Sequence, residues 1–219
     1  MSIQQQEIEL RGRPILVTNY HDAFLLLNSA GTDEQLPAEL GTQLLSRRLD
    51  FCDEVIATER EICLKLNDRF THRSLCQLAF PPETEATGAD CGREVRLPVR
   101  FEYSADWDRV CVYTGLTRPQ YQAALLECPF SVAMIGFLPG FVYLSGLPDR
   151  LQVPRKARPD RRAAANSLAV GGNYAGLYSL ESPAGWNVIG TVATTVLRLD
   201  QLPPVSLEPG DVVRLTEGL

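Results

Sequence analysis

The stretch that decides the fold runs from Ile135 to Gly190 and opens with Ile135-Gly136-Phe137-Leu138-Pro139-Gly140-Phe141-Val142-Tyr143-Leu144. It passes through Pro154-Arg155-Lys156 and closes on Ser182-Pro183-Ala184-Gly185-Trp186-Asn187-Val188-Ile189-Gly190. Eight of the sixteen glycines lie between Gly136 and Gly190, which indicates a backbone that repeatedly needs positive φ or close approach by other atoms. Alternation of these glycines with Phe, Tyr and Trp predicts a surface shaped to bind something.

Short strands and tight turns dominate the chain around this stretch. Strand patterns cover residues 94–101, 130–135, 167–172, 175–178, 186–190, 194–199 and 211–215. Two short helices are predicted before residue 130. Asp106 is assigned as the cap of the first, and Thr117 with Gln120 forms a capping box for the second. Many short strands with few helices predict a mainly-β closed barrel over residues 94–219.

The N-terminal residues 1–85 mix strand and helix patterns. Strands are predicted within residues 7–10, 14–18 and 24–27, and two more within 54–66, joined by a charged turn. Helices are predicted over 37–49 and from Thr71 to about Ala79. These elements predict an α+β domain, an antiparallel sheet with helices on one face. Residues 81–93, rich in Pro, Gly and Glu, are predicted to link the two domains.

Composition narrows the class of protein. A net charge of −6 and a pI near 5.0 argue against nucleic-acid binding, which usually needs a basic face. No apolar run reaches the roughly 18 residues of a membrane span. The N-terminus has no basic region followed by an apolar core. We therefore expect a cytoplasmic protein without membrane or nucleic-acid partners.

The cysteines and histidines predict no metal site. The six cysteines are scattered without a C-x-x-C pair, and the chain has only two histidines, His21 and His72. Reduced cytosolic thiols are the favoured interpretation. A reactive thiol would need a base, and the second half of the chain contains no histidine to supply one.

Two loops in the second half are candidate anion sites. The run from Gly171 to Gly176 lacks a Gly-Lys-Ser/Thr sequence and a clear following helix, so a tight turn is favoured over a phosphate loop. The run of Arg155, Lys156, Arg158, Arg161 and Arg162 allows two interpretations that stay open. It is either a solvated loop or a grip for a carboxylate or phosphate, which guanidinium groups bind bidentately.

No complete catalytic set is visible. There is no G-x-S-x-G elbow, and Ser167 and Ser182 have no histidine near them in sequence. Glu181, beside the Ser182–Trp186 segment, is the best candidate acid. The residues therefore predict a pocket-forming barrel whose site is shared with another chain, or a protein without catalytic activity.

Four motifs carry a resemblance to a known family: Gly136-Phe137-x-Pro139-Gly140-Phe141-x-Tyr143-Leu144-x-Gly146-Leu147, Pro154-Arg155, Ser182-Pro183-x-Gly185-Trp186-x-x-Ile189-Gly190 and Pro209-Gly210-Asp211-x-Val213-Arg214. Over residues 94–215 the chain resembles the allophanate hydrolase subunit 1 proteins, mostly assigned as the B-type subunit of ATP-dependent 5-oxoprolinase. That family includes an inhibitor of a sporulation histidine kinase. The chain is also similar to half of the carboxyltransferase domain of urea carboxylase.

The resemblance implies an α+β N-terminal domain followed by a cyclophilin-like barrel. It implies a partner, the C-type second subunit of 5-oxoprolinase, with the substrate cleft where the two chains meet. The implied reaction is ATP-dependent opening of the lactam of 5-oxo-L-proline, with ATP bound at the level of the complex and a small lactam or amide as substrate. Two alternatives stay open: a regulatory binding protein such as a histidine-kinase inhibitor, and a carboxyl-transfer protein.

The predicted site residues follow from these motifs and from the candidate acids. Arg155 and Glu181 are predicted to be catalytic. The predicted substrate-binding residues are Phe137, Pro139, Gly140, Phe141, Tyr143, Ser167, Gly172, Tyr174, Ser182, Gly185 and Trp186. We expect Phe141, Tyr143, Arg155, Tyr174 and Trp186 to line one concave face with Gly140 and Gly172.

The chain departs from the family pattern at several positions. A His-Thr pair of the family corresponds to Leu125 and Leu126, and a Gln-Thr-Gly to Tyr174-Ala175-Gly176. A second Pro-Arg is Pro159-Asp160, the Val-Pro-Ala-Gly before Ser167 is Ala163-Ala164-Ala165-Asn166, and Ala184 replaces a glycine. These changes predict a cleft with fewer hydrogen-bonding groups than the family pattern provides.

Overall fold

The computed structural model describes residues 5–10, 13–20, 23–30, 36, 40–41, 44, 47, 49–58, 60–78, 93–101, 104 and 106–218. The chain divides into two compact units, Met1–Asp90 and Cys91–Leu219. Apart from Arg93, the linker predicted over residues 81–93 lies outside the described residues. No described helix is long and apolar enough to cross a membrane.

The first unit contains a five-stranded antiparallel sheet. Its strands are β1 (Gln5–Leu10), β2 (Arg13–Tyr20), β3 (Phe24–Ser29), β4 (Cys52–Ala57) and β5 (Glu61–Leu66), in the spatial order β1-β2-β3-β5-β4. In β5 the side chains of Ile62, Leu64 and Leu66 are buried, whereas Cys63 and Lys65 between them are more exposed. Because side chains alternate across a strand, one face of the sheet forms the core of this unit.

The helices predicted for the first unit have different outcomes. Most of residues 37–49 lies outside the described residues, although Leu40 and Leu44 are buried in the core of the unit. The segment after Thr71 is a 3-10 helix, His72–Leu78, and not the α-helix predicted there. Its first turn closes through the tighter bond from Ser74 N–H to Thr71 O, 2.8 Å. The α+β description of this unit therefore stays a prediction.

The second unit is a closed seven-stranded barrel, as the strand pattern predicts. The barrel strands are β6 (Glu94–Arg100), β7 (Pro129–Ile135), β8 (Val142–Ser145), β10 (Ser167–Gly171), β11 (Tyr174–Leu177), β13 (Asn187–Val192) and β14 (Val212–Glu217). Around the barrel they follow the order β10-β11-β8-β7-β14-β6-β13. Helices α1 (Asp106–Thr114) and α2 (Arg118–Leu126) lie between β6 and β7, and a 3-10 helix spans Asp149–Leu151. A separate ribbon pairs β9 (Asp160–Ala163) with β12 (Ser182–Ala184).

Side chains fill the interior of the barrel. Leu168 and Val170 of β10, Leu177 of β11 and Leu144 of β8 are fully buried members of one core cluster. The intervening residues of these strands, such as Ala169 and Tyr143, belong to a second cluster. Since successive side chains point to opposite faces, this second cluster lies on the outer face of the barrel.

Residues 194–199 do not form the predicted strand. Leu197 makes only an isolated bridge with Val205. The N–H of Val196 donates to the side-chain oxygen of Asn166 at 3.0 Å, and the N–H of Arg198 donates to Pro204 O at 2.7 Å. The side chain of Asn166 and the carbonyl of Pro204 thus use backbone N–H groups that would otherwise pair with a neighbouring strand. The strand predicted from propensity therefore does not form.

Candidate functional site on the outer face of the barrel

Trp186 packs flat against the outer face of the barrel because two glycines leave room for it. A Cβ built on Gly171 would lie 2.7 Å from the indole, and one built on Gly176 would lie 2.7 Å from the indole and 2.8 Å from the ring of Phe141. Gly171 is on β10 and Gly176 on the neighbouring β11. The glycine-rich pattern of the sequence therefore creates a seat for Trp186, which is only 6% exposed.

Phe141 is the centre of the aromatic cluster that surrounds this seat. Its ring centroid lies 4.7 Å from that of Tyr143, 4.9 Å from that of Tyr178 and 5.6 Å from that of Trp186, all in edge-to-face geometry. Tyr174 extends the cluster, 5.9 Å from Tyr143. Edge-to-face contacts of this kind fix the rings in one arrangement. The cluster therefore forms a rigid wall, with Tyr143 and Tyr174 at its half-buried edge.

Arg155 places a cation on this wall. Its guanidinium carbon lies 5.3 Å from the centroid of the Trp186 ring, a cation–π geometry, and the residue is exposed. Burial raises the pKa of Tyr143, and the positive charge of Arg155 opposes that rise. The phenol stays protonated at neutral pH and can donate or accept a hydrogen bond. The structure thus brings together Phe141, Tyr143, Tyr174 and Trp186 with Arg155.

The backbone of the segment Pro154–Lys156, which carries Arg155 and is called the arm below, forms hydrogen bonds on both sides. Asn187 Nδ2 donates to Pro154 O at 3.2 Å, and the guanidinium of Arg109 donates to Arg155 O at 3.3 Å. The N–H of Lys156 donates to Gly185 O at 2.7 Å. These bonds hold the arm against β13 and the segment before it, so the position of Arg155 is fixed by its neighbours.

A buried ion pair anchors the end of this arm. Lys156 Nζ donates to both carboxylate oxygens of Asp106, at 2.9 and 2.8 Å, and also contacts the carboxylate of Asp160. The side chains of Lys156 and Asp106 are only 9% and 13% exposed. Asp106 also accepts the N–H of Val188 at 2.8 Å. The pair therefore joins the arm to α1 and to β13.

The assignment of Asp106 as a helix cap is wrong. Asp106 is the first residue of α1, and Ser104 performs the capping: its Oγ accepts the N–H of Asp106 at 3.1 Å and its carbonyl oxygen that of Trp107 at 3.2 Å. The carboxylate of Asp106 turns instead to Lys156 and Val188. Asp is a common cap residue, but this carboxylate forms an ion pair with a residue fifty positions away in the sequence.

The Gly136–Phe141 turn presents an exposed aromatic side chain. Phe137 has φ of 73° and is 71% exposed, and its ring lies 5.6 Å from that of Phe141. An aromatic residue at positive φ is a strained outlier that a turn must enforce. Gly140, at φ 75°, is buried, and the exposed Pro139 accepts the hydroxyl of Ser179 at 2.5 Å through its carbonyl oxygen. Phe137, Pro139 and Gly140 thus border the aromatic cluster.

Gly172 lies in a hairpin turn, which agrees with the preference for a turn over a phosphate loop. Gly171 pairs with Tyr174, so β10 and β11 are joined by two residues only. Gly172 has φ of 66° and donates its N–H to Val153 O at 2.8 Å. It therefore connects the hairpin to the segment just before Arg155.

The remaining candidate residues lie in β10 or in and beside β12, and of these Ser167 lines a polar cleft. Ser167 is 3% exposed and lines a cleft of about 340 Å³ beside the β9–β12 ribbon. Glu181 pairs with Arg162, a lining residue, at 3.3 Å. Ser182, in β12, donates its hydroxyl to Pro183 O at 3.3 Å, and Gly185 accepts the arm N–H described above. The predicted site residues are thus divided between the aromatic wall and this cleft.

Sequence reasoning did not assign site roles to several residues: Asp106, Tyr178, Asn187 and Thr191. Asn187 follows Trp186 directly, so adjacency to a motif was the available signal for it. Tyr178 is 2% exposed; burial raises its pKa, and a backbone hydrogen bond from Trp186 partly offsets the rise. Nothing in the sequence pairs Asp106 or Thr191 with their spatial neighbours.

Leu125, one of the departures from the family pattern, belongs neither to the aromatic wall nor to the polar cleft. Leu125 is fully buried in the core cluster of the barrel unit, and Leu126 packs against the same cluster. Ala175 is likewise a core residue, facing inward from β11. The prediction that these positions remove hydrogen-bonding groups from the cleft is therefore wrong for Leu125 and Ala175, because their side chains are buried in the core.

Three of the described cysteines fit inert thiols better than reactive ones. Burial raises the pKa of Cys52, Cys63 and Cys128, which disfavours the nucleophilic thiolate. Within the described ranges, no three residues of the His, Cys, Asp and Glu types are grouped so that they could hold a metal ion.

Comparison with known proteins establishes the family. Residues 24–207 match the family described as carboxyltransferase domain, subdomain C and D. The chain belongs to this family.

Its relatives include proteins named as the B-type subunit of 5-oxoprolinase. The chain is 35% identical to the one from Haemophilus influenzae over 131 residues, which is 58% of this chain and 62% of the relative. It is 34% identical to the one from Escherichia coli O157:H7 over 134 residues, which is 60% of this chain and 61% of the relative. The matched region therefore spans about three fifths of these relatives.

Solved structures agree with the fold. The crystal structure of TTHA0988 superposes with a TM-score of 0.77 at 28% identity, over 90% of this chain and 40% of that one. The urea amidolyase of Kluyveromyces lactis superposes with a TM-score of 0.67 at 16% identity, over 100% of this chain and 16% of that one. At that identity the second likeness concerns the fold alone.

The seat of Trp186 predicts a strong effect of one methyl group. Gly176→Ala introduces a Cβ that collides with Trp186 and Phe141, and we expect it to lower the free energy of unfolding by about 1–3 kcal/mol. Gly136→Ala is the matched control, because its Cβ meets nothing within 4 Å, and its effect should stay within about 0.5 kcal/mol. Urea unfolding checks both, and equal effects would contradict the packing described.

The buried ion pair predicts a large single effect and a smaller double one. Lys156→Met leaves the nearly buried carboxylate of Asp106 without its cation, so we expect a loss of about 3 kcal/mol in the free energy of unfolding. Adding Asp106→Leu should recover part of that loss because no buried charge is then left unpaired, and Asp160 stays in contact with solvent. Arg198→Met, which breaks an exposed pair with Asp200, should cost less than about 1 kcal/mol. A double variant with a lower free energy of unfolding than Lys156→Met alone would refute this account.

Proposed function

We propose that the chain is one subunit of a heteromeric, ATP-dependent 5-oxoprolinase that opens the lactam of 5-oxo-L-proline in the cytoplasm. The observation that carries this proposal is the family match over residues 24–207, together with relatives named as the B-type 5-oxoprolinase subunit at 32 to 35% identity. The name of these relatives denotes one subunit among several, which supports a heteromeric assembly here.

The outer face of the barrel supplies one wall of the proposed cleft. Arg155 offers a fixed cation beside the phenol of Tyr143 and the indole of Trp186. Such a surface can hold a carboxylate and an apolar ring of a small substrate. Both histidines of the chain, His21 and His72, precede the barrel unit in sequence. This composition supports a second chain as the source of general acid–base groups and of the ATP site.

The names of the relatives support a shared site as well. Each is called a B-type subunit of 5-oxoprolinase, which implies other subunits in the same enzyme. We infer that a separate chain, a C-type second subunit of 5-oxoprolinase, supplies the opposite wall here.

Two other functions have one supporting observation each. The exposed Phe137, held at positive φ beside the aromatic cluster, is a suitable contact for another protein and favours a regulatory binding protein such as a histidine-kinase inhibitor. The family description favours a carboxyl-transfer protein, which would need a biotin carrier as partner. Both are outcomes of the experiment below.

The test is co-expression with a second-subunit homologue, followed by assays of complex formation and of ATP-dependent glutamate release from 5-oxo-L-proline. We expect a stable complex with turnover, and we expect Arg155→Ala to lower kcat/KM by about 10- to 100-fold, the worth of one charge-assisted contact. Arg198→Ala, an exposed arginine in an ion pair with Asp200, is the control and should leave kcat/KM unchanged.

Absence of both a complex and turnover would overturn the proposal. In that case, inhibition of histidine-kinase autophosphorylation by the pure chain would indicate the regulatory function. Carboxylation of an acceptor by a biotin-carrier protein in the presence of this chain would indicate the carboxyl-transfer function.

A further inference from the structure

Residues 154–159, the arm and the three residues that follow it, are called the basic segment below. Its exposed arginines include Arg155 and Arg158. Arg155 lies over the indole of the aromatic wall, and Pro159 lies beside Gly185, where a built Cβ would be 3.9 Å from the proline ring. The basic segment therefore runs along the stretch just before β13, with both arginines accessible from outside.

A third cation joins this segment from α1. The exposed Arg109 donates from its guanidinium to Pro154 O at 3.4 Å and to Arg155 O at 3.3 Å. Arg158 follows Arg155 by three residues, so their Cα atoms are at most about 11 Å apart. The three guanidiniums are thus grouped along one exposed stretch of chain, part of which its neighbours hold in place through backbone hydrogen bonds.

None of these three arginines pairs with a carboxylate of the described residues. Arg109 donates to carbonyl oxygens, Arg155 lies on an indole, and Arg158 makes neither a hydrogen bond nor an ion pair within the described ranges. In the same unit, five other arginines each pair with a carboxylate: Arg93, Arg96, Arg162, Arg198 and Arg214. The basic segment is therefore distinguished by cations without an acidic partner among the described residues.

Two nearby carboxylates do not neutralise these arginines, because they bind a different cation. Asp106 and Asp160 both contact the ammonium of Lys156. Like charges separated by about one Debye length, ~8 Å at physiological ionic strength, still repel each other because screening is incomplete. An acidic ligand would relieve this repulsion, so the basic segment has the electrostatics of an anion-binding surface.

The spacing of the cations favours an extended acidic chain over a small anion. One guanidinium can bind a carboxylate or a phosphate bidentately, so a single small anion does not need three arginines that follow an exposed segment. Alternate residues of an extended polypeptide place their side chains on one face, about 7 Å apart. Acidic residues at that interval match arginines that are spread over about 10 Å of chain.

We propose that the basic segment is the docking site for an acidic, extended segment of a protein partner. Arg109 and Arg158 bind carboxylates of that partner segment, whereas Arg155 stays available to the small substrate. Charged groups at the edge of an interface chiefly speed association and select the partner. The identity of the partner as the second subunit rests on the proposed function, whereas its acidic chemistry rests on the basic segment.

The acidic chemistry is tested by binding a fluorescent ten-residue peptide of alternating Glu and Ala to the purified full chain, with anisotropy as the measurement. We expect a peptide of alternating Gln and Ala to bind about tenfold more weakly. We also expect the affinity for the Glu peptide to fall severalfold between about 50 and 200 mM salt, because salt screens the charges. The double variant Arg109→Gln Arg158→Glu should weaken binding of the Glu peptide about tenfold.

A matched control changes the net charge by the same amount on other strands of the barrel. Arg96→Gln Arg214→Glu alters two exposed arginines, on β6 and β14, that both pair with Glu94. This variant should bind the Glu peptide within about twofold of the wild type. Thermal unfolding of each variant verifies that it is folded.

Three results would overturn the proposal. The first is a wild-type chain that does not bind the Glu peptide. The second is a folded Arg109→Gln Arg158→Glu chain that binds the peptide as well as the control variant does. The third is inorganic tripolyphosphate that binds through the same arginines about tenfold more tightly than the peptide, because the ligand would then be a phosphate.

The same variants in the two-chain complex distinguish this proposal from the proposed function. With the second-subunit homologue as the partner, we expect Arg109→Gln Arg158→Glu to lower the association rate constant about tenfold and to change the dissociation rate constant less than about twofold. A complex with turnover whose association rate is unchanged would overturn the docking site and leave the 5-oxoprolinase function standing. Arginine-dependent binding of the Glu peptide, without a complex or turnover, would contradict that function and leave the docking site standing.

Discussion

The contact of the Trp186 indole with Gly171 and Gly176 is the constraint on which the outer face depends. Any side chain at either glycine would occupy the volume of the indole, so the two strands can hold Trp186 only without a Cβ at these positions. With Trp186 seated, Phe141, Tyr143 and Tyr178 close around it in edge-to-face contacts. The guanidinium of Arg155 can then lie over one face of the Trp186 ring.

A second constraint fixes the cation itself. The arm Pro154–Lys156 is bonded to Asn187, Arg109 and Gly185 through its backbone, and its lysine is buried against Asp106. Burying an ion pair brings little net stability compared with apolar packing, but the pair permits only one arrangement of the arm. We infer that its role is to position Arg155 over Trp186 and, with Asp160, to form the edge of the polar cleft.

The sequence predicted those features that depend on local periodicity. Alternating side chains and the Gly172 hairpin indicated the barrel strands correctly, and closure followed from the number of short strands. Failures came where a distant partner overrides a local preference. Asp106 has the residue type of a cap, but its carboxylate binds Lys156, fifty residues away. Residues 194–199 have a strand pattern, but Asn166 and Pro204 use their backbone donors.

The candidate site was predictable in its residue types but not in its division into two surfaces. Trp186, Arg155 and Ser167 were all predicted to belong to one site, because residue type and order along the chain carry no information on distances. Only the pairing of β10 with β11 and β13 shows that Gly171 lies under Trp186 whereas Ser167 faces Thr191 in the cleft. Likewise, the sequence suggested that Leu125 replaces a polar group of the cleft, whereas the structure places its side chain in the core cluster.

The most direct test of the central claim, that the outer face of the barrel is the working surface, is hydrogen–deuterium exchange of the chain with and without a second-subunit homologue. The account predicts that the partner slows exchange in the Gly136–Phe141 turn, in the arm Pro154–Lys156 and in the Gly172 hairpin. Slowed exchange confined to β6, β14 or the first unit would contradict it.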